Sequence, residues 1–383
     1  MLMLNYSQIM VDHQVRSQLI DAYFSTYHVS YPFVHEGTFR AQYNELIPRT
    51  EKRSWDMLLS TILALGAWTL GDARTDLDGL LYQQACAFGE DSSIFESASL
   101  TLVQALLLLS NFTQKRNRPN TGWNYLGLAI RMALSLGLHR ELPHWGISIL
   151  QREMRRRVWW GLFIFDSGAS TTFGRAILLP QREMIDVKHV LNIHDQVIII
   201  LESTEQGMAD DKQLLTPRTE TVPAELLEPT IYSAMKAQVD FHLITNHISN
   251  RLLSSPPILV GEALLLKKDL ERWADTLPSY FRLEQETPTF HHWYLFARAR
   301  LWWRCWNLEM ILFRPILLRA AMRILDHRED QRMEEEEEKA RDICLNSAHM
   351  TIASIHEYVQ APILTRLVEW YSLYGNSHIY STK

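Results

Sequence analysis

The stretch Gly122-Trp-Asn-Tyr-Leu-Gly-Leu-Ala-Ile-Arg-Met-Ala-Leu-Ser-Leu-Gly-Leu-His-Arg-Glu141 decides the fold class of this chain. Trp123, Leu126, Ile130, Ala133 and Leu134 recur every three to four residues, which places them on one helical face. The cluster Arg118-Pro119-Asn120-Thr121-Gly122 reads as a helix start. Gly137 stands where a left-handed residue would close the helix.

The same period extends outward in both directions. Upstream, Val15 to Tyr27, Phe39 to Ile47, Trp55 to Leu70, Leu77 to Phe88 and Ser97 to Phe112 read as helices. Within Trp55 to Leu70, the small residues Ala64, Gly66 and Ala67 admit a close neighbour. Pro32 disfavours helix at Tyr31 and makes Tyr31-Pro32-Phe33-Val34-His35 an extended turn. Downstream, Ile149 to Phe165 is a helix with a charged first half and an aromatic second half, and Gly168 to Pro180 reads as a loop. Thr230 to Leu253 and Glu262 to Thr276 follow. Phe290 to Phe313 is apolar nearly all round, the mark of a central helix, and Pro315 should kink it or begin the next one. The acidic run Glu334 to Glu338 reads as a solvated helix N-terminus, favoured by the dipole. The helix after it carries Ala340, Ile343, Cys344, Ser347, Thr351, Ile355 and Tyr358 on one face.

No segment of length shows strand period, so the expected fold is all-α, a large helical domain of about ten to twelve helices with no substantial sheet. The expected organisation is a first half over residues 15–195, a linker or loop over 196–229, a helical continuation of the same region over 230–374, and a disordered tail over 375–383.

Composition agrees with long helices. Gly numbers 15 and Pro 14 in 383 residues, both below average usage. Lys plus Arg is 38 against 44 Asp plus Glu, a net charge of −6, which argues against a chain-wide phosphate-binding surface. No run of 18 apolar residues occurs, so a membrane span is not expected. The twelve Trp read first as aromatic helix packing and second as platforms for base or sugar stacking, and a Trp-rich core could also line a pocket.

Motifs for metal and phosphate chemistry are missing. Cys86, Cys305 and Cys344 are far apart, with no C-x-x-C, so neither a disulfide framework nor a cysteine zinc site is supported. No His pair has the H-E-x-x-H spacing, and no G-x-G-x-x-G, Walker loop or G-x-S-x-G is present. The densest charged cluster is Arg152-Glu153-Met154-Arg155-Arg156-Arg157-Val158-Trp159-Trp160. It could face nucleic acid, but the negative net charge and core-like aromatics favour internal pairing of these arginines, with Asp166 and Arg175 close by. On that reading Arg156→Ala lowers the melting temperature more than a surface arginine change does.

Two segments together carry a family resemblance. The first is Gly127-x-Ala129-x-Arg131-Met132-Ala133, ending Leu136-Gly137-Leu138-His139-Arg140. The second is Glu153-x-Arg155-Arg156-Arg157-x-Trp159-Trp160, then Asp166 and, further on, Gly174-Arg175. They resemble the regulatory middle region of fungal-specific transcription factors (the xylanolytic-activator-like regulatory domain), regulators with a binuclear zinc cluster at the N-terminus. The likeness covers residues 20–195 well and the helices beyond 230 more loosely.

The resemblance implies an all-helical domain in RNA polymerase II transcription, with no enzymatic activity and a nuclear location. It implies DNA contact through a separate module of six cysteines and two zinc ions, co-regulator proteins, a small-molecule effector and a homodimer. No metal, catalytic or DNA-binding residue is expected here, and the motif residues should be structural. That six-cysteine module is missing from the sequence, whose first cysteine is Cys86, and Ala176 stands where the family usually has Pro. The chain is therefore expected to be a fragment or incomplete gene model, or a regulator acting through partners. The alternative is a helical small-molecule-sensing or protein-interaction module that does not itself bind DNA. Residues 197–213 read either as a surface loop or as an unspliced intron, since every Val codon begins GT and a Gln codon can be CAG. The tail from Gly375 is open to the same read-through explanation.

Overall fold

The computed structural model describes residues 11–71, 76–89, 96, 98–141, 145–180, 182–205, 229–283, 292–325, 334–360 and 366–373. Thirteen α-helices and no strand occur among them. They are α1 His13–Ala22, α2 Glu36–Tyr43, α3 Lys52–Leu70, α4 Leu77–Ala87, α5 Leu100–Lys115, α6 Pro119–Ser135, α7 Ile149–Phe173, α8 Asp195–Glu205, α9 Ile231–Leu253, α10 Val260–Thr276, α11 His292–Leu325, α12 Glu335–Val359 and α13 Arg366–Leu373.

Local chemistry sets many of the ends. Ser99 accepts from the amide of Leu102 to start α5, and Thr230 accepts from those of Tyr232 and Ser233 to start α9. Ser148 and Gln151 form a reciprocal capping box on α7. Pro119 occupies the first turn of α6, where its missing N–H costs nothing. Gly137 and Gly174 take φ of 64° and 62°, the left-handed region, just after α6 and at the end of α7. Glu334 caps α12, and the acidic run supplies its first turn.

Two apolar cores share two helices. Trp55, Trp68, Trp159 and Trp160 anchor the first, built on α1 and α3 to α7. The second gathers Trp273, Phe281, Tyr294 and Phe313. The α9 helix gives Tyr232, Met235 and Val239 to the first core and Phe241 and Ile248 to the second. The α11 helix gives Phe296, Trp303 and Trp306 to the first and Leu301, Leu308 and Leu312 to the second. Serving both cores is why α11 is apolar nearly all round. Where α3 crosses α1, a Cβ on Gly66 would lie 2.0 Å from the carbonyl oxygen of Leu19.

Several boundaries differ from the sequence reading. The α7 helix runs through Gly168 to Phe173, and α11 runs unbroken through Pro315. Residues 195–205, assigned mainly to a linker, form α8. The reason is local: Ile198 is buried while Val197, Ile199 and Ile200 are exposed, so apolar residues on the outer face blur the helical period. Residues 206–228 and the tail from Gly375 lie outside the described residues. No helix among the described residues is long and apolar enough to cross a membrane.

Candidate functional site

The arginines of α7 diverge in function from one residue to the next. Arg155 donates to the carbonyl oxygens of Leu136 (2.8 Å) and Gly137 (3.3 Å), satisfying the C-terminal end of α6. Arg156, 10% exposed, forks onto Glu141 at 3.1 and 2.7 Å, and Glu141 also accepts from the amide of Lys188. Arg157 is fully buried and donates to Glu153 (3.0 Å), to Asp195 of α8 (2.8 Å) and to the Tyr232 hydroxyl of α9 (2.7 Å). Its guanidinium also stacks over the Tyr232 ring, 3.6 Å from the centroid. One cation thus joins α7, α8 and α9. Burial pushes the Glu153 carboxyl up, despite Arg157 and Arg156 beside it. Burial also opposes ionisation of Asp195, but Arg157 and the Tyr232 hydroxyl outweigh it and hold its carboxyl low.

The other motif residues surround this network. Trp160 donates to the carbonyl of Lys188 and stacks on His189, while the Trp159 ring lies 5.7 Å from that of His139. Leu138 is buried in the first core. Asp166 accepts from the amides of Leu178 and Leu179, both at 2.9 Å, and burial raises its pKa to about 6. Arg175 donates to Asn120 and covers the Trp123 ring, tying the segment after Gly174 to α6. Arg131 points into solvent, away from all of these. The contrast gives a paired test. Arg156→Ala should cost about 2–3 kcal/mol through its two charged hydrogen bonds, and Arg131→Ala less than about 0.5 kcal/mol. Equal melting temperatures would refute the difference.

A second polar centre was not legible as a site in the sequence. A cavity of about 570 Å³ lies where α3, α5, α7, α9, α11 and α13 converge. Lys115, at the end of α5, is 7% exposed, and its ammonium has no hydrogen-bond partner. It sits among aromatic rings: 3.9 Å from the Trp370 centroid, 5.2 Å from Trp68 and 5.3 Å from Tyr371. Arg300 is 1% exposed and donates to the carbonyl of Ser30 (3.3 Å), with Nε and Nη1 unpartnered. Arg304 reaches Gln238 (2.5 Å) and His242 (3.1 Å), and His242 completes the chain to Ser167 at 2.8 Å.

Among the described residues no carboxylate pairs with Lys115, Arg300 or Arg304. Burying an ammonium costs several kcal/mol, and a desolvated cation–π contact returns about 2 kcal/mol, so the rings offset only part of the cost. Burial and the two nearby arginines lower the Lys115 pKa strongly. Burial and Arg300 bring Arg304 down to about 10. The sequence signal available for this centre is the spacing of Arg300 and Arg304, four residues apart and so on one face of a helix rich in Trp and Leu.

The zinc cluster implied by the resemblance does not fit these residues. Cys86, Cys305 and Cys344 lie on α4, α11 and α12. Among the described residues no three His, Cys, Asp or Glu side chains could hold a metal ion.

Comparison with known proteins decides the family. The profile described as the fungal specific transcription factor domain matches residues 20–259. The chain belongs to that family. The fungal specific transcription factor domain here is 38% identical over 183 residues to the lactose regulatory protein of Kluyveromyces lactis, spanning 48% of this chain and 21% of that protein. A transcription factor of Fusarium pseudograminearum is 30% identical over 319 residues, 79% of this chain and 40% of its own length. The nitrogen assimilation transcription factor of Emericella nidulans is 31% identical over 175 residues, 43% of this chain and 19% of its own. The chain therefore spans less than half the length of each of these relatives. No solved structure matches the chain. The fungal transcription factor match ends at 259, inside the structure: α11 and α13, beyond it, contribute to the first core.

Proposed function

We propose that this domain is the regulatory body of a nuclear transcription regulator, working alongside a zinc cluster module that contacts DNA and not catalysing a reaction. The observation that carries this reading is the family match over residues 20–259, laid on a helical body whose arginine cluster is turned inward. Arginines paired inside the body are not available for phosphate contact. The interactions of half-buried Arg155 and of buried Arg156 and Arg157 hold α6, α7, α8 and α9 in register, and Asp166 orders the segment after α7. Tethering the domain to an unrelated DNA-binding module upstream of a reporter tests the reading. A change in reporter output, up or down, is expected. Output equal to that of the DNA-binding module alone would overturn it.

The cavity favours a second element of the same function, the sensing of a small molecule. It is of ligand size, and ligand pockets commonly combine apolar walls with a few convergent polar groups.

A further inference from the structure

We propose that the cavity between α5, α11 and α13 is the binding site of a small organic anion, its charge held by Lys115 and Arg300 and its apolar body by the aromatic walls. The proposal deepens the small-molecule reading above and rests on it.

Three observations converge. First, the charge balance is incomplete. Two buried cations and the half-buried Arg304 face one cavity without a carboxylate partner among the described residues. Glu369 is the single acidic side chain among the lining residues, and it is exposed. Second, the free valences are donors. The Lys115 ammonium and Arg300 Nε and Nη1 are buried, unpartnered hydrogen-bond donors at this site. An oxyanion accepts from such groups in charge-assisted bonds, whereas a neutral or cationic ligand leaves the charges standing. Third, the walls suit a flat or aliphatic body. Trp68, Phe165, Trp303 and Trp370 line the space. Cationic donors set among aromatic rings select a compact anion with a hydrophobic part over an inorganic ion.

The arrangement also couples binding to the fold. Arg366 of α13 donates to the carbonyl of Trp68 on α3 (2.9 Å), and the Tyr371 and Tyr31 hydroxyls meet across the cavity. Lys115 lies over the Trp370 ring and Arg300 over the Tyr371 ring, so an anion held by both cations is coupled to the docking of α13.

Two measurements on the whole chain test this: melting temperature and tryptophan fluorescence, the latter because Trp370 touches Lys115. The probes are phenylacetate for a carboxylate head and phenyl phosphate for a phosphate head. Inorganic phosphate, 2-phenylethanol and phenethylammonium supply the bare ion, the neutral body and the wrong charge. At a hundredfold excess over Kd, one or both organic anions should raise the melting temperature by roughly 5 °C and change the fluorescence. Which of the two acts identifies the head group. Lys115→Met should abolish the response while the unliganded variant melts no lower than the parent, because an uncompensated buried charge has been removed. Should Lys115→Met fail to fold, Arg300→Met carries the same comparison, with binding weakened at least tenfold. No response to either organic anion, an equal response to the alcohol or the ammonium, or undiminished binding in the folded variant would overturn the proposal. The binding assay does not involve transcription. A silent reporter with intact binding would fault the regulatory reading, and an active reporter without binding would fault this one.

Discussion

Replacing Arg157 with methionine is expected to lower the unfolding free energy by about 3–5 kcal/mol, or roughly 10 °C in melting temperature. The substitution keeps the volume of the side chain and removes its charge. Glu153, 0% exposed, would then lie in the core with the Leu191 amide and, as its nearest remaining cation, Arg156 at 3.7 Å. Asp195 would lose its closest cation, and Tyr232 the guanidinium stacked on its ring. Three helices meet at that one group, so local rearrangement cannot restore the pairing. The pH dependence has a definite sign. In the parent, burial holds the Glu153 carboxyl above its unfolded value, so its ionisation costs stability as pH rises through the window between the two. Without Arg157 the folded pKa climbs further and the cost at pH 7 grows. Asp195 is held below its unfolded value in the parent, giving stability above that value that the variant loses. The Glu153 term narrows the gap between parent and variant as pH falls from 7 toward the unfolded carboxyl value, and the Asp195 term follows only below the unfolded aspartate value. Urea unfolding at pH 7 and pH 5 measures it. Adding Glu153→Gln to the variant should recover at least half of the loss, since the amide still accepts from Leu191. A gap below about 1 kcal/mol at pH 7 would show that the buried pair is dispensable.

The second large effect is steric. Gly66→Ala places a carbon 2.0 Å from the Leu19 carbonyl oxygen, an approach that only backbone movement can relieve. The expected cost is about 3 kcal/mol or more, from overpacking between two helices, and it exceeds the gain of about 1 kcal/mol that Ala brings to a helix interior. Gly127→Ala supplies the opposite sign. Its new methyl would meet only the Leu178 side chain at 3.8 Å, an ordinary contact, so that variant should gain about 0.5–1 kcal/mol. Parallel melting curves for the two decide the matter, and a shift in the same direction for both would remove the close-crossing argument.

These two residues mark how far the amino-acid order can be read. The small stripe Ala64, Gly66 and Ala67 announces a close neighbour, because small side chains at helical spacing have no other evident use in an apolar helix. That the neighbour is the carbonyl of Leu19 depends on how α1 is turned, which periodicity does not state. The internal pairing of Arg156 with Glu141 was within reach, since both lie in one short region of sequence. Asp195 and Tyr232 as partners of Arg157 were not. Asp195 opens a helix whose exposed isoleucines concealed it, and Tyr232 reaches Arg157 from 75 residues along the chain. Lys115 escaped for a related reason. A lysine closing a leucine-rich helix reads as an ordinary partner of the helix dipole. Its burial is shared by Tyr27, Tyr31 and Trp68 from early in the chain and by Trp370 and Tyr371 from α13.

The meeting of Tyr31 with Tyr371 has a consequence in time. The two positions are 340 residues apart, and synthesis at about 5–20 residues per second separates them by roughly 20–70 s. During that interval the α5 helix can pack against α3 and α7, with Lys115 beside the rings of Tyr27, Tyr31 and Trp68. The arrival of α13 adds Trp370 and Tyr371 to them. The anion site is thus closed later than the contacts of α5 with α3 and α7, and a chain interrupted before residue 366 would carry the family motifs yet lack the Trp370 and Tyr371 walls of that site.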